Sequence, residues 1–557
     1  MTRTGGNFVT ETLEQYGVTH LFGNPGTTEL PIMNAVGDSD LEYVLALHED
    51  IAVGAAAGYA KTLDSYDDPE ALPVGVANLH IAPGVAHGLG NVFDSSLVGT
   101  GAPIVVTAGT HPMDHQHREP NLGGDVVEMT KQFTKWSAEV KHVDSLPTML
   151  RRAFRVAMTP PTGPVFLALP FDVMTAETDA EPEPLGYVPR DGPGDSAAVD
   201  RAAEAIADAE EPVLVTGDLL ARSGPDAVSA AVEFAETVGA PVYGELKASE
   251  ISFPPDHELW HGRLPRDQDR VAEILSTDTL VMAGAVSNTT TNPQERQLVG
   301  TDTTVVQISN HAWEVGKNVP AAVGVLGDPG TVLEQLGEEL RGRIPEETVD
   351  ARLASAVRPP STVGETPENL EIENDVATND DLAAAMYAAA PDARIVAEAP
   401  TSTGAVRRRY DFDPGQYFAN RGGGLGYGLP AAVGSAIAES TRENPRATIG
   451  FVGDGSYLYY PETIYTAARY EVDLTVVVPD NRNYRILKDN TLRIFGGEED
   501  DYEFVGMDFE PPVDIPGNAE THGARGRFIE DPSEIEGAVA EAVSESGPTV
   551  LDVRIQD

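Results

Sequence analysis

The residues with the clearest chemical potential are Gly453-Asp454-Gly455-Ser456, which directly follow the apolar run ATIGFV. Asn481 lies one residue beyond a second apolar run, LTVVVP. Two such runs joined by a helix, here expected at about 461–470, place a carboxylate and an amide oxygen side by side at strand ends. Oxygen donors of this kind suit Mg²⁺, which accepts a few protein oxygens and completes its octahedron with phosphates or water. The flanking glycines let backbone N–H groups approach a diphosphate, and the helix that follows offers its positive end. A Gly-Asp-Gly alone is often a tight turn; the Asn after a second strand argues for a site instead.

The elements that hold these residues fall into three stretches of alternating strand and helix. In the first, 1–175, the runs PVGVAN (73–78), PIVVTAG (103–109) and PVFLALP (164–170) read as buried strands. Residues 176–195, rich in Pro, Glu and Gly and without periodicity, read as a linker. A second unit, 190–343, carries PVLVTG (212–217), TLVMAG (279–284) and TVVQIS (304–309). A polar stretch, about 343–375, leads into the third unit, 375–557, with RIVAEA (394–399), ATIGFVGDG (447–455), LTVVVPDN (474–481) and TVLDVRI (549–555). Short β-rich runs alternating with helices predict an α/β protein of three doubly wound parallel-sheet domains.

Composition narrows the function classes. A chain of 557 residues exceeds one hydrophobic core. It contains no Cys, which excludes disulfides, thiolate metal sites and Cys nucleophiles. No apolar run reaches the ~20 residues of a membrane span, and MTRTGGNFVTETLEQYG lacks a signal-peptide core, so a cytoplasmic enzyme is expected. Lys and Arg number 37 against 89 Asp and Glu, a formal net charge of −52 spread along the chain. Adaptation to high salt explains this, since screening removes the self-repulsion. Nucleic-acid binding is disfavoured, because no basic stripe exists to neutralise phosphates. RRRY at 407–410 is a local cluster suited to ion pairs or an anion contact.

The Gly-Asp-Gly followed by Asn resembles the signature of the thiamine-diphosphate-dependent decarboxylase and acetolactate-synthase superfamily. The resemblance implies Mg²⁺ bound by the side chains of Asp454 and Asn481 and the main-chain carbonyl of Asn483. The family usually carries two consecutive asparagines; Asp480 precedes Asn481 here. GNPGTTELP (23–31), LALHEDIAVGAAAGYA (45–60) and NLHIAPGVAHGLGNVFDS (78–95) resemble the benzoylformate decarboxylases of that superfamily. By that resemblance Glu49 hydrogen-bonds N1′ of the cofactor's aminopyrimidine, favouring the imino form that takes the C2 proton. Left to itself, Glu49 would read as a helix-N-terminal charge favoured by the dipole. RGGGLGYGLPAAVG (421–434) lacks the spacing of a dinucleotide fingerprint. The family alignment makes Leu425 the wedge that bends the cofactor, with the Gly423 carbonyl on the 4′-amino group and the Leu425 N–H on N3′. AEAPTSTG (397–404) resembles the family's diphosphate turn. Thr401 and Ser402 are therefore phosphate candidates, together with Gly453, Gly455, Ser456 and Tyr484.

The implied activity is non-oxidative decarboxylation of a 2-oxo acid, with ligation to a second oxo acid, as in acetolactate synthase, the alternative. Thr27 occupies the position of the family's substrate-binding Ser, and His80 that of its first acid–base histidine. The second histidine would lie near GAVSNTTTNP (284–293), which has none; Thr290 or a neighbour stands there. His48, His87, His111, His115 and His117 are close in sequence, but HPMDHQHRE reads as a polar loop, with Arg118 a candidate for a substrate carboxylate. No flavin fingerprint is visible, so FAD is not expected. A non-catalytic relative would be expected to lose Glu49 or the metal ligands. The family places its cofactor between the first domain of one subunit and the third of another, which implies a homodimer or homotetramer with interfacial active sites.

Overall fold

The computed structural model describes residues 3–66, 71–286, 297–358, 363–364 and 375–556. Its strands form three six-stranded sheets. The first contains β1 (His20–Gly23), β2 (Glu42–Leu45), β3 (Gly75–Leu79), β4 (Ile104–Thr110), β5 (Trp136–Glu139) and β6 (Val165–Pro170), in the order β2-β1-β3-β4-β6-β5. The second contains β7 (Pro212–Thr216), β8 (Val242–Gly244), β9 (Trp260–Arg263), β10 (Thr279–Ala283), β11 (Thr304–Ser309) and β12 (Val323–Leu326), ordered β12-β11-β10-β7-β8-β9. The third contains β13 (Arg394–Glu398), β14 (Tyr417–Ala419), β15 (Thr448–Val452), β16 (Leu474–Asp480), β17 (Arg525–Ile529) and β18 (Thr549–Arg554), ordered β14-β13-β15-β16-β18-β17. Every pairing is parallel, so each sheet must be covered by helices on both faces, which explains the near-continuous apolar runs.

The first and third sheets share one strand order. Each reverses direction at a switch point, between β1 and β3 in one and between β13 and β15 in the other. Crevices at the carboxyl ends of such strands are where open α/β sheets bind ligands. The helices Glu49–Asp64 and Gly428–Ser440 pack against one another between these two sheets and merge their cores. Small residues make that approach possible. A Cβ on Gly58 would stand 1.9 Å from the Ala431 carbonyl oxygen, and one on Gly434 1.8 Å from that of Ala55. The Thr62 and Ser435 hydroxyls hydrogen-bond across the contact at 2.8 Å.

Two segments are more structured than their polarity suggests. Residues 176–195 form no helix and only one isolated bridge, yet they lie as a strap on the first unit. Tyr16 Oη donates to the Glu183 carbonyl, Arg155 to that of Tyr187, and Val188 is buried. Within the polar stretch after 343, Glu346–Ala356 is helical and docks on the second unit, where Arg352 Nη1 donates to the Val238 carbonyl at 2.9 Å. Among the described residues no helix is long and apolar enough to cross a membrane.

Candidate active site

Thr27 and His80 follow the two switch-point strands of the first sheet, β1 and β3, and a buried carboxylate joins their loops. Glu29 is inaccessible to solvent; its Oε2 lies 2.8 Å from His80 Nδ1 and accepts the Gly26 N–H at 3.1 Å. Its Oε1 accepts the Gly109 N–H, the Ile81 N–H and the Thr28 hydroxyl at 2.9, 3.3 and 2.7 Å. An acceptor so fully engaged orients the imidazole through Nδ1 and leaves Nε2 for other work. Gly26 and Gly109 are required by this packing, since Cβ atoms would stand 1.8 Å from His80 Nδ1 and 2.3 Å from Glu29 Oε1. Thr27 is exposed at the start of the short 3₁₀ turn Thr27–Glu29. The sequence reading missed Glu29, whose place before a Pro-containing helix start looks like an ordinary capping charge.

Glu49 begins the helix Glu49–Asp64 after β2 and is buried. The Asn24 amide donates to Oε1 at 3.5 Å, and His87 Nδ1 lies 3.3 Å from Oε2. His87 in turn stacks on His48, and His48 on Tyr460, with ring centroids 5.3 and 4.8 Å apart. Burial lowers the pKa of His48. His111 bonds the Asn121 carbonyl in a polar loop, and His115, His117 and Arg118 form its exposed part. Most of the segment expected to supply a middle-unit group, Thr290 included, lies outside the described residues.

In the third sheet, Asp454 follows β15 and Asn481 follows the adjacent β16. Arg482, in the left-handed region at φ 62°, turns the chain so that Asn481 Oδ1 accepts the Asn483 N–H at 3.3 Å. Asp454 Oδ1 accepts the Gly455 N–H at 2.7 Å, while Oδ2 is buried without a hydrogen-bond partner. Burial, and then the neighbouring Asp480, push the Asp454 carboxyl up to about 7. Burial with Asp480 and Asp454 pushes Asp552, on β18, up to about 8. An unpartnered carboxylate oxygen amid gathered negative charge fits a cation. Among the described residues no three His, Asp or Glu side chains are grouped to hold a metal, so the donors would be one carboxylate, an amide and a carbonyl. Gly455 lies against Tyr484, where a Cβ would stand 2.5 Å from the ring.

Glu398, the last residue of β13, is a second carboxylate that the sequence reading missed. It is buried; Oε1 accepts the Gly426 N–H at 2.8 Å, and Oε2 accepts that of Gly428. Burial pushes it up to about 6, against the pull of these N–H groups and Ser456. It thereby fixes the glycine loop carrying Gly423 (φ 87°) and Leu425, which is partly exposed. Asp94 reaches the same loop from the first unit, accepting the Gly424 N–H at 3.3 Å. Burial pushes Asp94 up to about 7. Ser402 is buried just beyond Glu398, and Thr401 is partly exposed. Within the chain, no hydrogen bond or ion pair among the described residues joins Glu49 to Asp454 or Asn481. The two regions do meet at Tyr460, whose hydroxyl donates to Asp50 at 2.9 Å.

Three family models match along the chain. They are the thiamine pyrophosphate enzyme N-terminal TPP binding domain over residues 3–135, the central domain over 199–336 and the C-terminal TPP binding domain over 401–553. A benzoylformate decarboxylase of Pseudomonas aeruginosa is 30% identical over 552 residues, covering 98% of each chain. A probable acetolactate synthase large subunit of Methanocaldococcus jannaschii is 26% identical, over 99% of this chain and 92% of its own. The solved structure of a thiamine diphosphate-dependent 4-hydroxybenzoylformate decarboxylase from Rhodococcus jostii superposes with a TM-score of 0.86 at 27% identity. That match covers 100% of this chain and 99% of the other.

Proposed function

This chain belongs to the thiamine pyrophosphate enzymes of the decarboxylase and acetolactate-synthase superfamily, and we propose that it performs the Mg²⁺-dependent, non-oxidative decarboxylation of a 2-oxo acid. The observation that carries this reading is the arrangement at the sheet ends. An oriented histidine stands beside the turn holding Thr27, and a buried, unpartnered carboxylate oxygen stands at Asp454. When bound, thiamine diphosphate supplies a nucleophilic carbon and an electron sink for the loss of CO₂.

The protein's own groups have the following tasks in this reading. Asp454 Oδ2, Asn481 Oδ1 and the Asn483 carbonyl hold Mg²⁺. Thr401, Ser402, Ser456, Tyr484 and the N–H groups of Gly453 and Gly455 bind the diphosphate. Glu49 would hold a proton toward the aminopyrimidine, and Gly423 and Leu425 would hold that ring. Thr27 hydrogen-bonds the substrate carboxylate, and His80 moves a proton through Nε2, with Nδ1 held by Glu29. The resemblance to the family supports assigning Glu49 and Asp454 to one site built by two chains of a homodimer or homotetramer. The full-length similarity to an acetolactate synthase supports a second reading, ligation of two oxo acids. Product analysis separates the two. A single 2-oxo acid incubated with the enzyme yields one CO₂ and one aldehyde per oxo acid on the first reading, and one CO₂ and one 2-hydroxy-3-oxo acid per pair of oxo acids on the second.

A further inference from the structure

A cavity of 760 Å³ lies between residues 246–266 of the second unit and residues 397–425 of the third. Among the described residues, eight Lys and Arg side chains line it and one carboxylate, Glu398, although the whole chain has 37 basic residues and 89 acidic. The charge balance of the molecule is thus inverted among the described residues that line this cavity. Arg421 is neutralised there by Asp218 and Glu245, all three buried. Lys247, Arg263, Arg266 and Arg407, by contrast, form no ion pair with a carboxylate among the described residues.

Arg263 and Arg407 are held in place without being neutralised, while Lys247 and Arg266 are exposed at the rim. Arg407 Nη1 donates to the Ala248 carbonyl at 3.0 Å, and its guanidinium lies over the Tyr417 ring, 5.0 Å from the centroid. Arg263 Nη1 donates to the same Ala248 carbonyl at 3.2 Å. Two guanidinium groups sharing one carbonyl repel each other, and Arg407, followed by burial, lowers Arg263 to about 10. Burial, then Arg421 and Arg266, lowers Lys247. Keeping like charges together in a half-buried cavity is costly unless an anion joins them.

We propose that this cavity receives the far end of the substrate, and that the substrate is a 2-oxo acid carrying a second acidic group remote from its keto carboxylate. The proposal rests on the decarboxylase reading above. Gly423 and Leu425 form part of the cavity wall, so a tail bound by Arg263 and Arg407 runs beside the loop assigned to the cofactor ring. The diphosphate of the cofactor is a poor candidate for the anion, because Asp454, Gly455 and Asn481 do not line the cavity. A forked guanidinium pair matches a carboxylate, sulfonate or phosphate.

The test combines binding with turnover, at one fixed salt concentration. Titration calorimetry on the full-length protein with thiamine diphosphate and Mg²⁺ compares two unreactive acids of equal length, glutarate and pentanoate. Glutarate is expected to bind roughly tenfold tighter or more. Arg263→Gln with Arg407→Gln, and separately the milder exposed pair Lys247→Gln with Arg266→Gln, are expected to erase the difference. CO₂ release is then measured for 2-oxo diacids and neutral 2-oxo acids of four to eight carbons. The kcat/KM ratio of diacid to neutral acid is expected to favour the diacid and to fall roughly tenfold in the variants. Equal binding of glutarate and pentanoate overturns the proposal, as does a diacid preference that survives both pairs of substitutions. Glutarate bound without a diacid preference in turnover makes the occupant an effector and overturns it too. If glutarate binds as expected but no 2-oxo acid of either kind releases CO₂, the decarboxylase reading fails while the anion site stands.

Discussion

Glu29 Oε2 lies 2.8 Å from His80 Nδ1, and Glu29 is wholly buried while His80 keeps about a quarter of its side-chain surface, 24%, accessible. One residue is therefore fixed, and the other is the face to which the proposed reading gives the proton transfer. His80→Ala is expected to lower turnover by roughly tenfold or more. Glu29→Gln should lower it too, and the double variant should lose little beyond the worse single one, because both changes remove the same oriented imidazole. Steady-state kinetics of the three proteins checks this. Additive losses would mean that Glu29 serves the fold alone.

Glu49→Gln keeps the size and burial of the side chain, so circular dichroism and cofactor affinity should stay near those of the wild type, affinity within about an order of magnitude. Turnover should vanish, because an amide cannot share a proton with the aminopyrimidine. Near-wild-type activity in this variant would remove Glu49 from its assigned role.

Asp94 gives a pH dependence with a definite sign. Its carboxyl is raised from 3.8 to about 7 by burial, so the folded protein binds a proton more tightly than the unfolded chain does. Its contribution is fully present below the unfolded value and is lost as pH rises towards 7, by up to about 1.4 kcal/mol per pH unit. Denaturant unfolding of the cofactor-free protein between pH 4 and 8 should show stability falling with pH. Asp94→Asn should lessen that slope without abolishing it, because burial also raises Glu398, Asp454 and Asp552; an unchanged slope would remove Asp94 from the contributors.

The net charge of −52 predicts dependence on salt. At about 1 M salt the screening length is roughly 3 Å, short enough to mute repulsion between surface carboxylates. Sedimentation velocity should find a folded oligomer at high salt and a dissociated or unfolded chain in dilute buffer. A dimer that persists and stays active in dilute buffer would refute salt adaptation.

The sequence is most readable where burial on both faces forces long apolar runs. TVVQIS is β11 over the same residues, and the runs later seen as β7, β10, β13, β16 and β18 lie within a residue of their ends. Short edge strands such as β2, β9 and β17 escaped, since EYVL, WHGR and RGRFI are half-exposed and carry no alternation a periodicity argument can use. Asp454 and Asn481 were legible as candidates because each lies within two residues of the end of a core strand. Glu29 and Glu398 were not. Each acts by accepting backbone N–H groups from loops distant in sequence, and only the folded chain brings these together. The clustering of Arg263 with Arg407 was likewise invisible, although RRRY had marked one half of it.

The most direct test of the account is restoration of CO₂ release to protein stripped of cofactor and metal. With a panel of 2-oxo acids at high salt, thiamine diphosphate and Mg²⁺ together should restore release, and neither should suffice alone. Asp454→Ala should fold but not recover, because the buried Oδ2 that would meet the metal is gone. Release restored without thiamine diphosphate, or full recovery in Asp454→Ala, would contradict it.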